Sequence, residues 1–431
     1  MLLAVGVQAD RVKVRLFSTN SVDLINISFD LGSYDLFSGD SLLLYATDVE
    51  GKSIELTPRG SLVHVSVDGY DYGSHQRITF SATDTACILC LNPRNIKSRT
   101  YEGDLIVSVG KGGKLILIND VEFETYIAGV VQSEIYGNET DIFRVQAIIS
   151  RTWAMKNINK HKADGYNFCD QVHCQAYLNR CVRPDIMLGT MQSAGMTIVD
   201  HDGNLIDTPF HSNSGGQTAN SEDVWRSALP YLRSVPDTFS YHMRQSEWVK
   251  VLTVNKWLDY FANKHKLDTS NDSLRNELLS FSQSQRKARI CGVPLTRIRT
   301  DFQLKSTFFS VLYDSVAQRV TLSGHGFGHG VGLSQEGTIR MVSLGFSYDS
   351  IIRHYYTGAT IRYDEDHPRS YVENYIKQIS QIIEEDRQTG TRTKSKQDDW
   401  LGRLFRIRDR EEREEVYTPD DELDSDWKYD W

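Results

Sequence analysis

The stretch from Val130 to Asn157, VVQSEIYGNETDIFRVQAIISRTWAMKN, constrains the chain most, because it ends one helix on an acidic side chain and opens another a few residues later. Phe123, Tyr126, Ile127, Val130 and Val131 recur at helical spacing, which predicts a helix running to about Ile135. Asn119 and Asp120 stand where caps are wanted, with Glu122 where a capping box places its acid. Gly137 and Asn138 break the pattern. Thr140 or Asp141 then caps a second helix whose buried stripe is Ile142, Val145, Ile149 and Trp153. Arg144 and Arg151 are expected together on its other face. Glu134 falls at the end of the first helix, among Val131, Ile135 and Tyr136. Apolar surroundings and the negative end of a helix both disfavour an ionised carboxyl, so its pKa is expected to rise, as suits a general acid. An ordinary surface glutamate fits the same spacing.

Upstream, residues 11–95 alternate apolar and polar side chains in short runs (VKVRLF, LINISFDL, SLLLYAT, LVHVSVDG, RITFSA) separated by turn residues. This reads as an all-β lobe. Cys87 and Cys90 lie in one of its apolar runs and are expected to be buried thiols rather than a metal or redox pair. The expected fold class is α+β: a β-rich lobe over 1–84, then a mixed α/β domain with a substrate cleft over 85–363, of which 238–320 is a variable β-rich subregion. Over 364–431 an amphipathic helix, Tyr371 to Ile383, precedes a charge-rich tail expected to be disordered. A length of 431 residues with 40% hydrophobic side chains allows a sizeable core, and a net charge of −9 argues against nucleic acid as partner. The opening MLLAVGV is too short for a signal-peptide apolar region and no transmembrane run follows, so no export signal is visible.

Three segments carry candidate chemistry. In HKADGYNFCDQVHCQAYLNRC, residues 161–181, Cys169, His173 and Cys174, with His161 or Cys181 as fourth donor, suit a closed tetrahedral structural zinc. A disulfide such as Cys169–Cys174 fits the same thiols in an oxidising compartment. Ser212, Asn213, Ser214, Gly215 and Gly216 form a small polar run without a nucleophile elbow, suited to lining a sugar cleft, with Trp225 and Tyr231 as stacking platforms. SGHGFGHGVGLSQEG, with six glycines between Gly324 and Gly337, presents His325 and His329 but lacks the spacing of a phosphate cradle.

The runs DVEFETYIAGVVQSEI and FRVQAIISRTWAMKN, together with RTYEGDLIV at 99–107, FHSNSGGQTANSEDVWRSALPYLRSVPD at 210–237 and SGHGFGHGVGLSQEGTIRMVSLGFSYDSIIRHYYTG at 323–358, resemble the SpoIID-type domain. This is the stage II sporulation protein D family of peptidoglycan lytic transglycosylases, and the resemblance covers roughly residues 85–363. It implies that Glu134 is the catalytic acid, with Arg144 and Arg151 at basic positions where typical members have Lys and Arg. Ser212, Ser214, Gly215 and Gly216 match the family's SSGG-type motif with Asn213 between the serines, and His329 and Gln335 match its GHGVGxSQ motif; all are implied substrate contacts. Some members hold zinc on a His/Cys cluster like His161, Cys169, His173 and Cys174. No cofactor is implied for catalysis. The resemblance implies glycan strands of peptidoglycan as substrate and action outside the cytoplasm, while relatives called amidase enhancers imply an alternative, a non-catalytic activator of a cell-wall amidase. Ile135-Tyr136 stands where many members carry Met-Pro.

Overall fold

The computed structural model describes residues 11–84, 87–364, 373, 376–381 and 383–384. Residues 373, 376–381 and 383 are helical, within the helix expected over Tyr371–Ile383; the other positions of that helix, the charged tail after 384 and the first ten residues lie outside the described residues. The chain forms two compact units that interleave in sequence. One contains the stretch up to Tyr136, Asn157–Ala194 and the stretch from Asp366, the other Gly137–Lys156 and Gly195–Glu365.

In the first unit, period-two burial builds two sheets. Val12, Val14 and Leu16 are buried in the strand Arg11–Leu16 while their neighbours face outward. That strand lies between Leu115–Glu122, antiparallel, and the short Phe168–Cys169, parallel, in a sheet of seven strands. A six-stranded antiparallel sheet is centred on Ile25–Leu31 and Ile54–Arg59. Cys87 is buried with its thiol directed at the Ser33 carbonyl, and Cys90 is half-buried in the following strand.

The expected caps at Asn119 and Asp120 are not caps. Leu115, Leu117, Asn119 and Val121 continue a period of two as the buried face of the strand Leu115–Glu122, which overrides the capping pattern. The buried Asn119 amide donates to the carbonyls of Glu102 (2.8 Å) and Asp104 (3.0 Å) and accepts the Tyr177 hydroxyl at 3.1 Å. The helix Phe123–Glu134 starts directly after the strand, with Glu122 as a cap residue whose side chain makes no cap bond.

In the second unit, the helix Thr140–Lys156 packs Val145, Ile148 and Ile149 with Ile198, Leu333, Tyr355 and Tyr356. Ile142, Val145 and Ile149 are buried as the spacing predicts, but so are Phe143, Gln146, Ser150 and Arg151, so the helix has no wide polar face. Arg144 and Arg151 therefore do not share a solvent side: Arg151 is 1% exposed. A second core gathers around Trp257, Phe261 and Phe309 under a three-stranded sheet, Glu247–Thr253, Arg319–His325 and Phe308–Asp314, with the middle strand in sequence at the edge. Residues 238–320 also contain the helices Val254–Asp259, Asp272–Ser280 and Leu295–Asp301, so this subregion is mixed rather than β-rich.

Candidate active site and metal cluster

Glu134 is the last residue of its helix, which stops when Ile135 turns extended and returns its N–H to Val131. Residues 174–178 run along this helix and hold it at several points. The Tyr126 hydroxyl donates to Gln175 Oε1 at 3.1 Å, Ala176 N–H donates to Glu134 Oε1 at 3.0 Å, and Leu178 N–H reaches Ser133 Oγ at 3.3 Å. Gly129 permits this approach: a Cβ there would lie 2.5 Å from the Tyr177 ring. Burial raises the Glu134 pKa above the ordinary carboxylate value, and the Ala176 N–H opposes the rise by favouring the ionised form. The arrangement suits a group that gives up a proton and takes one back.

The loop that supplies Ala176 carries the cysteines. Pairing of Phe168–Cys169 with Val14 and Arg15 fixes one end of the loop to the sheet. The fully buried Asp170 carboxylate fixes it further by accepting from Phe17 N–H (2.7 Å), Ser18 Oγ (2.5 Å) and Arg99 Nη1 (2.7 Å). His161, Cys169, His173 and Cys174 then bring one donor atom each to within 4.8 Å of one another. His173 Nδ1 is 3.7 Å from Cys169 Sγ and 3.8 Å from Cys174 Sγ. Ligands of a tetrahedral zinc lie roughly 3.3–3.8 Å apart, so small side-chain shifts suffice. His161 faces the Asp164 carboxylate through Nδ1 at 3.2 Å, leaving a buried Nε2 without a hydrogen-bond partner among the described residues. A carboxylate behind one imidazole nitrogen and an orphaned second nitrogen are what a metal-ligating histidine needs. Cys181 is not part of the cluster; it is fully buried and its thiol is directed at the Arg183 carbonyl. The fourth donor is thus His161.

In the second unit, the side chains singled out from sequence face inward more than expected. Arg144 pairs with Asp141 at 3.2 Å and lies over the Tyr348 ring, while Arg151 donates to the Met196 carbonyl at 3.2 Å. Ser212 is half-buried and its carbonyl accepts Glu336 N–H. Ser214 is fully buried: its hydroxyl donates to Asp237 Oδ2 at 2.7 Å and lies 2.9 Å from Ser240 Oγ, so it braces the loop instead of opening onto a cleft. Gly215 and Gly216 have positive φ and serve close packing. Added Cβ atoms would meet the His325 backbone at 2.6 Å and the Tyr241 ring at 2.2 Å. His329 accepts Val331 N–H at Nδ1 and packs between His211 and Trp225, and burial lowers its pKa to about 4. Gln335 donates to Gln146 of the Thr140–Lys156 helix at 3.4 Å. Of the two aromatic platforms, Trp225 is 44% exposed and Tyr231 is core.

Within this unit two buried carboxylates, Asp237 and Glu336, escaped the sequence reading. Asp237 also accepts the Tyr355 hydroxyl at 2.9 Å, and Glu336 accepts Asn213 Nδ2 at 2.7 Å and Gln245 N–H at 3.0 Å. Only their place inside the recurring motifs, at the end of RSVPD and in LSQEG, signals them.

Residues 111–195 match the SpoIID family, described as Stage II sporulation protein. Over this stretch the chain is similar to SpoIID-type proteins. The match contains Glu134, Arg144, Arg151 and the whole His/Cys cluster. The chain is 26% identical to the amidase enhancer of Bacillus subtilis over 54% of its own length and 40% of that protein's. It is 25% identical to stage II sporulation protein D of the same organism, over 57% of this chain and 75% of that one. An uncharacterized protein of Brachyspira hyodysenteriae is 26% identical over 61% of this chain and 72% of its own. The chain spans less than half of the amidase enhancer and about three quarters of the other two.

Proposed function

We propose that this SpoIID-type chain acts on the bacterial cell wall as a peptidoglycan lytic transglycosylase, outside the cytoplasm. The observation that carries the reading is the Glu134 carboxyl, desolvated at a helix end and held by Ala176 N–H. Hydrolysing glycosidases use two carboxylates across the bond, whereas one suffices if the substrate supplies the nucleophile. Glu134 protonates the oxygen bridging N-acetylmuramic acid to N-acetylglucosamine, and that bond breaks. The resulting carboxylate then takes the proton of the muramoyl C6 hydroxyl as its oxygen closes on C1. The products are a 1,6-anhydro-muramoyl end and a free N-acetylglucosamine end, and the acid is regenerated without water. Such proton transfer supplies about 10²–10⁴-fold, and positioning of the glycan must supply the rest. Arg144 and Arg151 stiffen the helix that follows, and Ser212, His329 and Gln335 are the side chains of their motifs that are half-buried rather than fully buried.

His161, Cys169, His173 and Cys174 are proposed to hold a structural zinc. With four protein donors the coordination sphere would be closed, so these residues would hold the ion as a brace for the loop that carries Ala176, with no position for a reacting water. The likeness to the amidase enhancer favours a second reading, a glycan-binding module that activates a cell-wall amidase.

The test is to incubate the protein and its Glu134→Gln variant with intact and peptide-stripped glycan strands and analyse products by mass spectrometry. Anhydro-muramoyl ends from the wild type, reduced at least 100-fold in the variant, are expected. Reducing ends would mean hydrolysis with a second carboxylate. Absence of cleavage on both substrates with glycan binding retained would transfer the assignment to the amidase activator.

A further inference from the structure

Beyond the motif-bearing regions, the subregion 238–320 holds a depression of about 520 Å³ bordered by Lys250, Lys256, Tyr260, Lys264, Asp301 and Gln303. Its charge is unbalanced. Asp301 is occupied by Lys264 Nζ at 2.7 Å and the Tyr260 hydroxyl at 2.9 Å, which compensates one of three ammonium groups. Lys250 Nζ donates to a neutral acceptor, the Phe302 carbonyl, at 2.5 Å. Lys256 is exposed and its ammonium has no partner among the described residues. Two uncompensated positive charges thus face one recess in a chain whose net charge is −9.

The backbone around the recess is irregular in two independent places. Tyr260 and Lys264 stand on a single π-helical turn, Tyr260–Lys264, a geometry uncommon in helices and frequent at functional sites. Also bordering it, Gln303 follows the helix Leu295–Asp301 with φ +51°, and Leu304 N–H returns to Arg299 O at 2.8 Å. That is the helix-end position glycine occupies without strain. A long polar side chain is kept there at a cost glycine would not incur, and it borders the recess.

We propose that this depression is a binding site for a phosphate-bearing anion, held by Lys250 and Lys256 with Tyr260 and Phe302 as its apolar wall. Lysine ammonium groups are compact point charges without the planar fork that arginine offers to carboxylates, and two of them match the charge of a phosphate monoester or of two adjacent phosphodiesters. The ligand is either a free phosphorylated molecule or a polymer with a phosphodiester backbone. This assignment is independent of the transglycosylase reading.

The full chain is titrated with inorganic phosphate and, separately, with a poly(glycerol phosphate) chain by calorimetry, at two salt concentrations. Saturable binding that weakens with salt is expected, and Lys256→Gln should weaken it about tenfold while leaving the melting temperature unchanged, because that side chain is exposed and unbonded. Lys250→Gln with Lys256→Gln should abolish it. Saturation by both probes identifies a site for small phosphorylated molecules, and saturation by the polymer alone identifies a phosphodiester polymer. Failure of both probes to bind the wild type, or binding that Lys256→Gln leaves unchanged, overturns the proposal.

Discussion

Two loops of this chain each carry a pair of histidines, and they differ in what their nitrogens meet. Around His161 and His173, twelve residues apart, two imidazoles and two thiols converge, and a buried nitrogen of His161 has no hydrogen-bond partner among the described residues. Around His325 and His329, four apart in a glycine-rich run, no such convergence occurs. His325 is exposed at the end of a strand, and His329 spends a nitrogen on Val331 N–H and its ring faces on His211 and Trp225. Close spacing therefore says little about ligation. What makes the first loop a candidate metal site is the anchoring of Cys169 to the sheet and of Asp170 to Phe17, Ser18 and Arg99, which folds a long segment back on itself.

That contrast is open to direct attack. Chelation, or His161→Ala, is expected to remove one zinc per chain by elemental analysis and to cost about 4 kcal/mol of unfolding free energy at free zinc a thousandfold above Kd. His329→Ala should leave the zinc content intact. Equal zinc loss in both variants would erase the distinction between the loops. In the run Ser212–Gly216 close packing is at stake: Gly216→Ala is expected to cost about 3 kcal/mol in denaturant melts, because its Cβ would overlap the Tyr241 ring at a φ of +105°. A neutral effect would restore the reading of Gly216 as a substrate contact.

The smallest effect concerns Glu134. Its pKa is raised in the folded chain, so between the unfolded and folded values the native state holds a proton the unfolded state releases. Its contribution to stability is therefore complete at pH below the unfolded pKa and declines as pH rises to the folded one. The wild-type stability curve should fall relative to that of Glu134→Gln across this window, by at most about 1.4 kcal/mol per pH unit. Ala176→Pro removes the opposing N–H and should raise the upper end of the window. Parallel curves for wild type and Glu134→Gln would mean an unshifted carboxyl and would remove the main physical support for the acid.

Much of the fold was legible because burial leaves a period. The strands Arg11–Leu16, Ile25–Leu31, Leu62–Val67 and Arg77–Ala82 and the helices on either side of Gly137 follow from alternation and helical spacing. Where two signals competed, the longer periodic run won, as when Asn119 and Asp120 joined a strand instead of capping a helix. Arg151 was misread because a charged residue in a helix is ordinarily on the outside, and nothing in local spacing reveals that the Thr140–Lys156 helix is covered on most sides.

The sequence by itself determined the placement of Glu134 at a helix end, the donor types of the His/Cys cluster and the motifs that resemble the SpoIID family, since these depend on residue identity and short-range periodicity. Only the tertiary structure decided that His161 and not Cys181 completes the cluster, that Ala176 N–H meets Glu134, and that Ser214 and Gly216 serve packing. Those outcomes depend on contacts between segments far apart in the chain and on which polar groups are left without water, and no local pattern encodes either.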